Sequence, residues 1–229
     1  MNKSGEAGIA RLNKTDPVPE DIFVSCFTDP LCAWSWAFDV EWKKLKQMLG
    51  DRLHITYHMG GLIPDWKTFN DSVNAVTRPL QMGPVWMHIA ELTNVKLNHI
   101  IWMKDPPSSS YPSCIAFKCA EHQSRQAAEI YLGLLREAAM VFGQNISKTD
   151  ILLRLASDPL LEQVGFNKAK FKKDLLNGTG LESFRRDLTL AQTNHITRFP
   201  SLIIRRKNKS SLLVSGYKKA DELMDIIQS

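Results

Sequence analysis

Hydrophobic and polar positions alternate along this chain with two different periods, and the changes of period divide it into three parts. Residues 22–28, Ile-Phe-Val-Ser-Cys-Phe-Thr, are a short apolar run rich in strand formers, the pattern of a strand buried on both faces. From Ala33 to Leu49 the period is helical. Trp34, Phe38, Trp42, Leu45 and Leu49 recur at three- and four-residue steps, with Glu41, Lys43, Lys44 and Lys46 between them, and Gly50-Asp51 closes the helix. Leu53 to Met59 then alternates strictly, a strand signature. Strand, helix, strand in this order predicts two parallel strands joined by a right-handed crossover. The far end reads differently: a strand from Pro200 to Ile204, a turn at Lys207–Ser210, a strand from Leu212 to Val214, and a helix from Lys218 to Ile227 with Leu223, Ile226 and Ile227 on its apolar side.

The stretch between, from about 63 to 196, carries helical punctuation almost throughout. Pro84 opens a helix through Leu97, and Pro112 another through His122. Ser124 caps a helix to about Phe142, Ser147 with Asp150 marks a further start, and Asn167 another. Asn177-Gly178 closes that helix, and Leu181–Asn194 forms a long last one. The prediction is an α/β protein with residues 21–62 and 197–229 in one domain, 63–196 a helical insertion domain, and 1–20 a polar, flexible lead-in.

Composition narrows the function classes. The chain has 229 residues, 44% of them hydrophobic, and a formal net charge of +5. Its basic clusters (Lys43–Lys46, Lys168–Lys173, Arg205–Lys209) lie where a helix face or turn is solvated, without interleaved stacking aromatics, so no nucleic-acid partner is expected. No apolar stretch suits a signal peptide or a bilayer span, so the expected location is the cytoplasm, where thiols stay reduced. Cys26, Cys32, Cys114 and Cys119 then read as free thiols, with Cys114 and Cys119 in the core of the insertion. The six histidines show no metal spacing, and His54 and His58 read as a solvated strand face, so no metal is expected.

One stretch carries chemistry: Asp29-Pro30-Leu31-Cys32-Ala33-Trp34-Ser35-Trp36, directly after the first strand. Cys32 sits where a helix begins, and the N–H groups and dipole there favour a thiolate, so a lowered pKa is expected. A dithiol enzyme needs a second thiol at position 35 to resolve its mixed disulfide, and a serine hydroxyl cannot do this. With Arg198-Phe199-Pro200-Ser201 before the third strand, the motif and the order of elements resemble the DsbA-like branch of the thioredoxin superfamily. That branch includes FrnE-type oxidoreductases, kappa-class glutathione transferases, 2-hydroxychromene-2-carboxylate isomerases and YjbH-type protease adaptors. The resemblance implies a thioredoxin-like fold with a large all-helical insertion, catalytic roles for Cys32 and Ser35, and substrate contacts from Pro30, Trp34, Phe199 and a cis Pro200. It also implies that Cys26 stands where relatives keep a buried acid, and that Gln81–Trp86 and Ser108–Pro112 could form a far cleft wall.

Three functions follow as expectations. The first is a monothiol thiol–disulfide oxidoreductase, in which Cys32 forms a mixed disulfide with a protein or glutathione and an external thiol resolves it. The second is a non-catalytic adaptor that binds a protein client on the same fold. The third is a glutathione-dependent isomerase or transferase. The kappa class has serine at both motif positions and an acid that holds the glutamyl group, where this chain has Ser215-Gly216-Tyr217-Lys218-Lys219. No tightly bound cofactor is expected, with glutathione at most a co-substrate.

Overall fold

The structure is a computed structural model that describes residues 21–229; the expected lead-in, 1–20, lies outside the described residues. The first strand, β1 (Ile22–Thr28), helix α1 (Ala33–Leu49) and β2 (Leu53–Met59) fall at the bounds that the periodicity predicts. β3 (Ser201–Arg206) and β4 (Leu212–Ser215) complete a four-stranded sheet of order β2-β1-β3-β4. β1 and β2 are parallel, with Ile22 opposite Leu53, and the other pairs are antiparallel.

Register explains the burial. Ile22, Val24 and Cys26 stand opposite Leu53, Ile55 and Tyr57, and opposite Arg206, Ile204 and Leu202 on β3. The apolar members of this set pack into one core with Phe38, Trp42 and Leu45 of α1, and Trp42 Nε1 donates to Tyr57 Oη at 3.0 Å. The alternate residue Phe27 faces the other way, into a small cluster with Ala191, Ile196, Phe199 and Ile203.

Between β2 and β3 run α2 (Met82–Thr93), α3 (Ile101–Lys104), α4 (Tyr111–Glu121), α5 (Arg125–Met140), α6 (Thr149–Leu155), α7 (Pro159–Glu162), α8 (Lys168–Leu176) and α9 (Thr179–Thr193). Two predicted caps are in place: Ser124 Oγ accepts from Ala127 N–H and Asn167 Oδ1 from Lys170 N–H. The start expected at Ser147 is not, because its hydroxyl donates to Asn145 and Lys148 occupies the cap position of α6. α10 (Ala220–Gln228) closes the chain against α1. The helical segment shares its core with the sheet, since Phe117 of α4 packs edge-on to Tyr57 at 6.2 Å. No helix among the described residues is long and apolar enough to cross a membrane.

Candidate functional site

Four loops converge where β1 ends. Thr28-Asp29-Pro30-Leu31 turns back on itself, with Cys32 N–H donating to the Asp29 carbonyl at 3.1 Å, and Cys32 stands at the N-cap of α1. The Cys32 thiol donates to the carbonyl of Phe199 at 3.4 Å, and the Phe199–Pro200 peptide bond is cis. The Pro200 carbonyl accepts from Gly216 N–H at 2.8 Å, which fixes the loop carrying Tyr217, and Tyr217 lies against Trp34 with ring centroids 6.0 Å apart. The loop after β2 completes the set: Gly60 N–H donates to the Thr28 carbonyl, and the Phe199 ring fills the space where any Cβ at Gly60 would stand.

Of the residues singled out in the sequence, Pro30 is buried in the turn, and Cys32, Ser35, Phe199 and Pro200 come together around the sulfur. Trp34 is half-buried at the rim, and Trp36 is held away from it by a hydrogen bond to the Lys96 carbonyl at 3.1 Å. Ser108–Pro112 reaches the site through Ser110, whereas Trp86 of the other proposed wall is buried against Trp102 at 5.1 Å.

The electrostatics correct one expectation. Cys32 is only 6% exposed. Burial pushes its thiol above the ordinary cysteine range; the Ser35 hydroxyl and N–H pull it down, the Asp29 charge adds to the rise, and Arg136 opposes it. The helix start does favour the thiolate, as expected, but desolvation outweighs it. The fully buried Ser35 Oγ has no hydrogen-bond partner of ordinary length and angle. All four cysteines are free and buried, and burial pushes Cys26 to about 12.

Sequence reasoning missed the side chain that organises this end. Asp29 is completely buried. Its Oδ1 accepts from Leu31 N–H at 2.8 Å, and its Oδ2 accepts from Leu62 N–H at 2.7 Å, Ser110 Oγ at 2.8 Å and Cys114 Sγ at 3.4 Å. Cys114 is therefore not only a core residue of the helical segment; its thiol touches the motif loop. A second buried connection comes from α5, where Arg136 donates to Thr28 Oγ1 at 2.6 Å and to Asp39 of α1 at 3.1 Å. The only signal in the sequence was the Asp-Pro step itself, and three of the four partners of Asp29 lie 33 to 85 residues away.

The reading of His58 as a solvated residue is also corrected. Its ring stacks on Phe27 at 4.8 Å and bonds to Asp187 of α9 at 3.0 Å. Asp187 also accepts from Met59 N–H at 2.9 Å and pairs with the buried Lys118 at 3.0 Å, which in turn contacts Glu121. Among the described residues no three His, Cys, Asp or Glu side chains form a metal-holding group.

This geometry is that of a thioredoxin-fold protein with one motif cysteine facing a cis-proline loop. The chain belongs to the thioredoxin family, whose model matches residues 25–225. It is 28% identical to the ClpXP adapter protein SpxH of Halalkalibacterium halodurans over 83% of this chain and 61% of that one. With SpxH of Bacillus subtilis it shares 26% identity over 80% of this chain and 58% of the relative. It thus spans about three-fifths of the length of these curated relatives. Among solved structures, the cytosolic disulfide reductase DsbM from Pseudomonas aeruginosa superposes with a TM-score of 0.67 at 18% identity, covering 90% of this chain and 97% of that one.

Proposed function

We propose that this chain is a client-binding adaptor on a thioredoxin fold, in which Cys32 does not turn over. The observation that carries this reading is the state of the motif: a buried Cys32 thiol held against the Phe199 carbonyl, with a buried serine at the resolving position. A thiol that stays protonated is a poor nucleophile, and a mixed disulfide formed at Cys32 has no partner thiol at position 35 to release it. The names of the SpxH relatives support the same reading, which extends to handing a protein client to a ClpXP-type protease in the cytoplasm. No tightly bound cofactor is required. Trp34 and Phe199 then serve as part of a polypeptide-binding rim, with the buried Pro30 and Pro200 shaping the loops behind them.

One observation favours a second reading. The sulfur touches the carbonyl beside the cis-proline, the arrangement in which a thioredoxin fold presents its thiol to a substrate backbone. In that reading Cys32 attacks a client or glutathione disulfide, expels one thiolate, and is regenerated when a second glutathione thiolate attacks the mixed disulfide.

Iodoacetamide labelling of Cys32 across pH, with Cys32→Ala as control, separates the two. The adaptor reading expects a midpoint above the roughly 8.5 of a free cysteine. It also expects no glutathione adduct by mass spectrometry at neutral pH, and the same retained proteins on immobilised wild-type and Cys32→Ala chains. A stable adduct at pH 7 and loss of retained proteins in Cys32→Ala would favour exchange instead.

A further inference from the structure

We propose that Asp29, a fixed buried negative charge in the same turn, reinforces burial in keeping Cys32 a neutral, unreactive thiol. This rests on reading Cys32 as a thiol that does not turn over, and it names a charged group that adds to the effect of burial.

The hydrogen bonds around Asp29 select its ionised form. All four neighbours present hydrogens to it: two backbone N–H groups, the Ser110 hydroxyl and the Cys114 thiol. Ser110 Oγ accepts from Ile63 N–H at 3.1 Å while its proton points to Asp29. A neutral carboxyl would need an acceptor for its proton, and this cage offers donors. Burial pushes the Asp29 carboxyl above the usual carboxylate range, and these same donors pull it part of the way back. Unlike Asp187, Asp29 has no Lys, Arg or His within ion-pair distance among the described residues.

Its charge is therefore uncompensated, buried, and three residues from the sulfur in a turn closed by the Cys32 N–H. A second negative charge on Cys32 is opposed in such a medium far more than in water. The other titratable groups of the surrounding elements do not cancel it. Arg136 of α5 favours the thiolate but is engaged by Asp39 and Thr28. Cys26 of β1 and Cys114 and Tyr111 of α4 are all raised by burial and carry no charge near neutrality.

The test measures Cys32 alkylation against pH in the full chain, wild type and Asp29→Asn, by mass spectrometry. We expect the Asp29→Asn midpoint about one pH unit lower. The rate at pH 7.5 rises roughly threefold, because a tenfold gain in thiolate is partly offset by the weaker nucleophilicity of a less basic sulfur. A high wild-type midpoint that Asp29→Asn leaves in place overturns the assignment to Asp29 alone. A wild-type midpoint at or below about 8.5 overturns the unreactive-thiol reading itself. A second measurement needs no variant: carboxyl carbon-13 NMR of the wild-type chain at pH 7 should report Asp29 ionised, and a protonated signal overturns the proposal.

Discussion

Two buried carboxylates accept hydrogen bonds from the chain as it leaves β2, one from Met59 and the other from Leu62, and they are handled in opposite ways. Asp187 is met by the Lys118 ammonium and His58, so its charge is balanced inside the core. Asp29 is met only by neutral donors and stands beside the one motif cysteine. The first arrangement is what a fold does to bring an acid inside without a large penalty. The second leaves a field directed at a nearby group, and perturbed, uncompensated charges gather at functional ends. Ion pairing, more than burial, separates the structural acid from the one that tunes chemistry.

The largest expected effect tests the structural half of this contrast. Asp187→Ala leaves Lys118 buried with one partner fewer and should cost about 3–5 kcal/mol in denaturant unfolding, without moving the Cys32 alkylation midpoint. A shift of that midpoint would erase the distinction between the two acids. Next is Gly60→Ala, which forces the Phe199 ring out of its place and should cost about 1–3 kcal/mol; loss of the Cys32–Phe199 contact would show as faster Cys32 labelling.

A smaller effect sharpens the chemical half. Ser35→Cys restores a second thiol, but the Asp29 charge still opposes attack by Cys32. Insulin reduction by Ser35→Cys with Asp29→Asn should exceed that of Ser35→Cys alone by about threefold, and equal rates would count against the contrast. The smallest effect uses Glu41, a more accessible acid, as a reference. Its bond from Lys44 and then that from Ala220 N–H hold its carboxyl below the usual range. Its contribution to stability is full above the unfolded value, about 4.3, and is lost as pH falls through the lower folded value. Glu41→Gln should therefore lose less thermal stability than wild type between pH 5 and 3.

How far the sequence could be read follows from the range of each interaction. β1, α1 and β2 were legible to the residue because their periods are written by burial within one element. Ser124 and Asn167 were legible as caps because they bond three residues ahead. The short α3 and α7 were not, being too brief to show a period. β3 runs two residues further than its apolar run, through Arg205 and Arg206. These are not a solvated turn: they bond to Ser25 and to the Ile227 carbonyl. The chemistry split the same way. Position predicted that Cys32 lies at a helix start, the family resemblance set it beside Pro200, and the structure has both arrangements. The sign of its pKa shift was illegible because it depends on desolvation and on Asp29, both products of the tertiary fold.

The cage around Asp29 also bears on the order in which the molecule matures. Its bonds close loops of 33, 81 and 85 residues, to Leu62, Ser110 and Cys114. Such distant closures are made late, because the chain entropy they remove is recovered only when the intervening segments have folded. In a chain emerging from the ribosome, β1, α1 and β2 exist well before α4, and during that interval Cys32 lacks both its cage and its cover. Pulse alkylation during refolding should find Cys32 still open after Cys26 is protected; simultaneous protection of the two would show that the motif loop sets together with the sheet. A thiol that is buried in the finished protein would then be among its most vulnerable atoms at birth.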